Sequence, residues 1–462
     1  MRQTSRREAA ASHYLPIMLL GFLGLLLLGG GASRADALSQ PFVRTAAVLV
    51  LAAALYIAPR PKMLLRPVPT ICLLVLLAIV LVQLVPLPPA IWAALPGHGF
   101  YADALRLAGL DHVWRPATLT PDLTLNTALA LLPPLAALIT LPLVKGEWHE
   151  RLLFAVLVGI LASASLAVVQ ISSGVPYLYR ITNRGAGVGF FANQNHQAMF
   201  IACAFPILAA WAGRPADTSE LAQRRLWLAA CVGAALFPIL LVTGSRSGLL
   251  LGLVSAVAAL LVYRSRPSGE RRRRLTSTRT KLLLSLPFAL SAAGVGATLY
   301  LSRGKALDRL IESGSGELRM EMMPVYLRMI RDFFPVGSGF GSFDPVFRRY
   351  EPDDRLSFFF LNQAHSDWLQ ILIEGGLLAG LVGLAFLAWY TVRSFLVWRR
   401  APDAGSATLG RVGSVLIAIL LAGSLGDYPL RTPLLAVLFA MAAFWLHLAS
   451  TRVRPSTPDL AE

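Results

Sequence analysis

Runs of roughly 15 to 22 apolar residues, with no polar stripe at helical spacing, follow one another along almost the whole chain. Such runs cannot all hide in one water-soluble core, so each must face lipid or be buried on every side. Composition agrees: 15% of the residues are charged, against about 25% in soluble domains. A soluble enzyme, a secreted disulfide scaffold and a disordered chain are excluded. The three cysteines, Cys72, Cys203 and Cys231, lie within apolar runs and offer neither a disulfide framework nor zinc spacing.

The runs predict an all-α polytopic membrane protein of about twelve spans: 15–31, 43–58, 69–87, 124–144, 151–171, 196–213, 226–243, 247–264, 281–301, 367–396, 411–426 and 430–450. The eleventh is short enough to be re-entrant, and the tenth long enough to tilt or project. Arg2, Arg6 and Arg7 precede the first run as in a signal peptide, but the runs behind it favour a retained anchor. With the N-terminus in the cytoplasm, cytoplasmic segments hold 25 basic and 9 acidic residues and the opposite side 17 and 16, so nearly all of the +17 net charge lies on one face. Arg271 to Arg274 then read as a topology anchor near anionic lipid, and nucleic acid is not an expected partner.

Two outward segments exceed ordinary turns. Residues 88–123 are interrupted by prolines, including Pro88, Pro89 and Pro96. Residues 302–366 form a large loop between spans nine and ten. Within it Glu317 to Phe334 has a helical rhythm, with Leu318, Met322, Met323, Leu327 and Ile330 as apolar positions. This helix is expected either on the membrane surface or in a small packed cap.

Four polar motifs interrupt the apolar chain, all on the outward side of this topology. In "RGAGVGFFANQNHQAM", Arg184 precedes a flexible glycine approach, and Asn193, Asn195 and His196 open span six. They read either as a helix cap or as amides and an imidazole for sugar or diphosphate oxygens. "TGSRSG" is a tight turn with Arg246, either snorkelling to lipid phosphate or holding an anionic substrate at a helix start. The third motif carries Arg319, Arg328 and Arg331 and ends in "PVGSGFGSF", a sharp turn rather than a nucleotide loop. The fourth, "NQAHSDWLQILIEGG", sets His365 beside Gln363, Ser366 and Asp367 just before span ten, as a helix-start residue or a base. Near the end, "GDYPLRTP" puts Asp427 and Arg431 on the same face, with a local ion pair as the simple reading.

In this order, the Arg246 turn, Arg319, the "PVGSGFGSF" turn, and "HS" followed by "LQ" and "EGG" resemble the O-antigen ligase and O-antigen polymerase superfamily, over roughly Gly185 to Pro433. The resemblance implies a GT-C-like, metal-independent inverting glycosyltransferase without a cofactor. Its donor would be a polyprenyl-diphosphate-linked glycan and its acceptor a lipid A-core or another glycan, at the periplasmic face of the bacterial inner membrane and among its lipids. The expected division is 1–183 for helices one to five, 184–450 for the catalytic region including the periplasmic loop 302–366, and 451–462 for a cytoplasmic tail. His365 is the expected base, with Arg246 and Arg319 as cations for the leaving diphosphate, since a guanidinium fork holds two oxygens and stays charged. Arg184, Asn193, Asn195, His196, Arg328, Gln363, Ser366, Asp427 and Arg431 are expected to bind substrate. Glu317 and Glu321, four apart, are the pair that would ligate a metal were one needed. A polymerase joining lipid-linked repeat units shares the same site; a transporter or flippase is the alternative of another class.

Overall fold

The structure, a computed structural model, describes residues 2–58, 64–264, 293, 321–355, 361–400 and 404–451. The described helices, numbered in chain order, are α1 (Arg2–Gly29), α2 (Gln40–Ile57), α3 (Val68–Val82), α4 (Pro89–Ala93), α5 (Gly99–Leu107), α6 (Pro121–Ala130), α7 (Leu132–Thr140), α8 (Gly146–Ser173), α9 (Gln194–Ala202), α10 (Ala204–Ala212), α11 (Ser219–Val242), α12 (Arg246–Arg264), α13 (Met323–Phe333), α14 (Phe343–Phe347), α15 (Asp367–Arg400), α16 (Ala404–Gly423) and α17 (Pro433–Thr451). Two short strands, β1 (Pro86–Leu87) and β2 (Arg115–Pro116), pair antiparallel, with Pro86 opposite Pro116.

Eight spans among the described residues are long and apolar enough to cross a bilayer, and α1 and α3 add shorter apolar stretches. The protein is a polytopic helical membrane protein. Helices occupy eleven of the twelve expected spans; the ninth, 281–301, lies outside the described residues except for residue 293, and the arginine run lies outside them too. The eleventh is no short re-entrant piece, because α16 is a 20-residue helix that begins earlier than its apolar run. The bundle is built around α17, which packs on α1, α3, α7, α15 and α16 and buries 14 of its 19 residues.

Span six, read from sequence as one helix, is two nine-residue helices that meet at Cys203. The cause is Pro206, which has no N–H for the carbonyl four residues back. That carbonyl, on Ala202, accepts instead from the Ser255 hydroxyl of α12 at 2.6 Å.

The large loop contributes a cap with a small core of its own: Met322, Tyr326, Met329 and Phe333 pack on Phe343, Phe347 and Ile373. Of the two expected placements, this is the packed cap. The helical phase differs from the expected one, since Leu327 is 55% exposed and Tyr326 is buried. The buried side is set by the aromatic pair Phe343–Phe347, with ring centroids 5.4 Å apart, against which Tyr326 packs. Glu317 and Leu318 lie outside the described residues.

Candidate active site

The cap joins the bundle at a break in α15. Gly376 has φ 59° and ψ −150°, so the helix is interrupted after its first nine residues. The "PVGSGFGSF" turn replaces the lost helical hydrogen bonds. Ser338 N donates to Ile373 O at 2.9 Å and Gly339 N to Glu374 O at 3.0 Å, while Leu377 N donates to Pro335 O at 2.8 Å. Gln83, at the end of α3, donates Nε2 to Glu374 O at 3.0 Å and accepts from Phe340 N at 2.9 Å. A Cβ on Gly376 would overlap the Pro335 carbonyl, so this residue serves both the positive φ and the close approach.

Beside this junction, the segment between α16 and α17 carries Asp427, which is fully buried. Its Oδ1 lies 3.6 Å from His365 Nδ1 and 3.6 Å from His196 Nε2, and accepts from the Tyr428 amide at 2.9 Å. Oδ2 accepts from Asn195 Nδ2 at 2.6 Å. The two rings flank Tyr428, each with its centroid 5.1 Å from the phenol ring. Burial works against the charge of Asp427, but the two imidazoles outweigh it and hold the carboxyl well below its ordinary range. The carboxylate's contribution to stability is therefore fully present above the ordinary carboxyl range and is lost progressively as pH falls from that range through the depressed value.

His196 is sealed inside, whereas the His365 side chain keeps 20% of its surface exposed. His365 also has φ 49°, a left-handed backbone uncommon outside glycine. Strained residues of this kind gather at sites of function. A carboxylate facing Nδ1 fixes the ring's orientation and leaves Nε2 as the atom for proton transfer.

Arg431 is wired differently from the expected local pair with Asp427. Its Nη2 donates to Glu374 Oε2 at 3.0 Å, and its Nε lies 3.6 Å from Asp367 Oδ1. The reason is the short 3-10 turn Pro429–Arg431, which directs Arg431 away from Asp427 and toward the first turns of α15. Burial opposes its charge, yet Glu374 and Asp367 hold the guanidinium more firmly protonated than usual. Glu374 Oε1 accepts from Gln370 Nε2 at 2.9 Å and Phe343 N at 3.2 Å, and Ser424 Oγ donates to Asp367 Oδ2 at 2.9 Å.

A cavity of about 550 Å³ opens beside this cluster. Its polar end is lined by Arg34, Asp36, Asp344, Gln363, Asp367 and Arg431. Its apolar end is lined by Leu73 and Leu76 of α3, Leu138 of α7, Phe386 of α15, and Phe439 and Ala443 of α17. From Pro433 to Ala443 the cavity follows ten residues of helix, or about 15 Å of depth.

The other expected site residues divide into helpers and outliers. Asn193 is the N-cap of α9, its side chain accepting from Asn195 N at 2.8 Å. Ser366 Oγ accepts from Leu369 N at 3.4 Å at the start of α15. Gln363 accepts from Gln370 Nε2 at 2.6 Å and lines the cavity. Arg246 begins α12 with an exposed side chain, and its turn packs through Gly248 against Ala198, two residues beyond His196. Arg184 and Arg328 are exposed. Arg319 and Glu317 lie outside the described residues; Glu321 is exposed, and no group of three His, Cys, Asp or Glu able to hold a metal occurs among the described residues. The glycine approach is pinned rather than loose, with Gln170 Oε1 accepting from Val188 N at 3.0 Å and Gly189 N at 2.8 Å. Sequence reasoning misses Gln83 and Ser424 as partners, whose one signal is that each is polar inside an apolar run; Gln370 stands in the "LQ" motif but with no partner assigned to it.

An imidazole–carboxylate pair beside an amphipathic cavity, on a polytopic bundle with a clamped cap, suits transfer chemistry on a membrane-borne substrate. The O-antigen ligase family model matches residues 229–388. This bears out, over that segment, the family resemblance read from the motifs, and it supports a membrane enzyme of the O-antigen ligase and polymerase type. The match takes in Arg246, the cap, His365 and the α15 break, whereas Asn195, His196, Asp427 and Arg431 flank it on either side. No curated protein matches the chain.

Proposed function

We propose that the O-antigen ligase region performs glycan transfer from a polyprenyl diphosphate to an acceptor hydroxyl at the periplasmic face of the bacterial inner membrane, with both termini in the cytoplasm. The observation that carries this reading is the His365–Asp427 pair, whose chain neighbours Gln363, Asp367 and Arg431 line a cavity that continues along mostly apolar helix faces for about 15 Å. An isoprenoid chain fits the apolar end, and its diphosphate belongs at the polar end. The catalytic region is taken as 184–450, wider than the matched segment, because the carboxylate of the pair and its Asn195 and His196 partners flank that segment.

His365 Nε2 takes the proton from the acceptor hydroxyl as its oxygen attacks the anomeric carbon. The bond from that carbon to the diphosphate oxygen breaks, the electron pair leaves with the lipid diphosphate, and direct attack inverts the configuration. Asp427 stabilises the imidazolium that forms, and Asn195 and His196 keep the carboxylate in place. Arg246 and Arg319 supply positive charge to the leaving group; the turn before α12 brings Arg246 to the helix that carries His196. Arg431, already bridging Glu374 and Asp367, organises the cavity wall and presents its guanidinium to the lipid headgroup. No metal is assigned a role.

The glycan ligase is preferred to the polymerase, with lipid A-core or another glycan as acceptor. Deletion of the gene tests this: lipid-linked polymer should accumulate unligated, whereas accumulation of single lipid-linked repeat units would assign the polymerase. Purified protein should transfer glycan from the extracted lipid-linked donor to added acceptor, and should do so in the presence of chelator. Loss of transfer on chelation, restored by one divalent ion, would overturn the metal-free mechanism. Failure with every acceptor while donor lipid crosses vesicles would point to a flippase.

A further inference from the structure

The segment between α3 and α6 presents two unlike sides. One is fastened to the protein. Trp92 donates Nε1 to Pro116 O at 2.8 Å. His98 is buried, edge-on to Trp92 at 4.8 Å and to Phe333 of the cap at 6.4 Å, with its ring nitrogens each 3.1 Å from the carbonyls of Pro96 and Ala117. Tyr101 packs against the cap's core. The other side carries Ile91, Leu107, Leu110, Val113 and Trp114, all exposed, with Leu107 at 92%, while Phe100, also exposed, has the Arg349 guanidinium of the cap 4.3 Å from its ring centroid. Helix α5 buries none of its residues fully. Phe100, Ala104 and Leu107 fall on one stripe of it, flanked by the Asp103–Arg106 ion pair at 3.0 Å.

Apolar surface of this extent needs an occupant, and chain continuity identifies it. The segment leaves α3 directly. The outward residues of α3, Ile71, Val75, Leu81 and Val82, are exposed in the protein and, on a membrane span, meet lipid. Val85 and Ile91, 51% and 54% exposed, carry that surface from the end of α3 into the segment. An exposed tryptophan at its far end fits the headgroup layer, where an indole has an apolar body and a wet edge.

We propose that residues 89–114 form an interfacial arm that lies in the bilayer surface at the active-site end, with Leu107, Leu110 and Trp114 inserted at the boundary between headgroups and acyl chains. The fastened side holds the edge of the cap at the level of the lipid headgroups. This rests on the membrane fold and not on the transfer reaction.

The test is site-directed spin labelling of the full chain reconstituted in phosphatidylcholine–phosphatidylglycerol vesicles. The background carries Cys72→Ser, Cys203→Ala and Cys231→Ser, and labels are placed through Leu107→Cys, Leu110→Cys, Trp114→Cys, Asp103→Cys and Asp111→Cys. The ratio of oxygen to nickel-chelate accessibility should be several-fold higher at 107, 110 and 114 than at 103 and 111. Nickel-dominated accessibility at all five positions would place the arm in water and overturn the proposal. So would spin–spin broadening at 107 or 114 that disappears on dilution with unlabelled chain, which would assign the surface to a second copy. If the cysteine-free background does not fold, Trp114→Phe in the otherwise native chain decides. Its fluorescence should be quenched less by brominated lipid than that of the native chain, and equal quenching overturns the proposal.

Discussion

Asp427 and Arg431 stand four residues apart in one short connection, yet their surroundings are built on opposite plans. Asp427 is one carboxylate serving two imidazoles, the Asn195 side-chain amide and the Tyr428 backbone amide, and one of those rings reaches the surface. Arg431 is one guanidinium held by two carboxylates whose remaining oxygens are largely taken up by Gln370, Ser424 and backbone amides. The first arrangement leaves one imidazole, that of His365, partly exposed. The second ties α15 to the connection before α17 while Arg431 still lines the cavity. Two charged residues with the same sequence prominence thus differ in the kind and number of their partners and in the exposure of those partners.

The contrast predicts which substitutions break activity and which break the fold. Asp427→Asn keeps the shape but removes the charge that orients His365. Transfer should fall by about 10³–10⁴-fold in an assay with lipid-linked donor, while detergent-solubilised protein still elutes as a single peak. His365→Ala should lower transfer by about 10²–10⁴-fold with the protein level in membranes unchanged; full activity would remove the base assignment. Glu374→Gln should act the other way, leaving Arg431 short of a counter-charge inside the bundle. It should cost about 3–5 kcal/mol, seen as a lower Tm, with residual activity following the folded fraction. Gly376→Ala forces a Cβ into the cap turn at a positive φ and should cost about 1–3 kcal/mol, measured in the same melt. The smallest effect expected is that of Asn193→Ala, the loss of an N-cap at about 1 kcal/mol.

The spans were readable because lipid imposes its thickness on the sequence, and the polar motifs because they stand out against an apolar chain. Asn195, His196, His365 and Asp427 were singled out on that ground and do meet in space. Arg246 adjoins the same helix, but Arg184 and Arg328 are solvent-facing, since arginine prominence alone does not tell a pocket from a surface. The α15 break was hidden because its hydrogen bonds come from a turn some 35 residues upstream and from Gln83 in another span. The local Asp427–Arg431 ion pair, the simple reading of "GDYPLRTP", gives way to pairs with Glu374 and Asp367, whose approach depends on the fold of α15 and not on the local sequence.

The graft of the cap turn into α15 has a mechanical corollary. Raising the cover would strand the Ile373 and Glu374 carbonyls and the Leu377 amide away from water, at about 1–3 kcal/mol apiece. A hinged door is therefore a poor description of this half of the molecule. On the proposed function, a lipid-linked donor would reach the cavity from the side of the bundle, under a cap that stays bolted down.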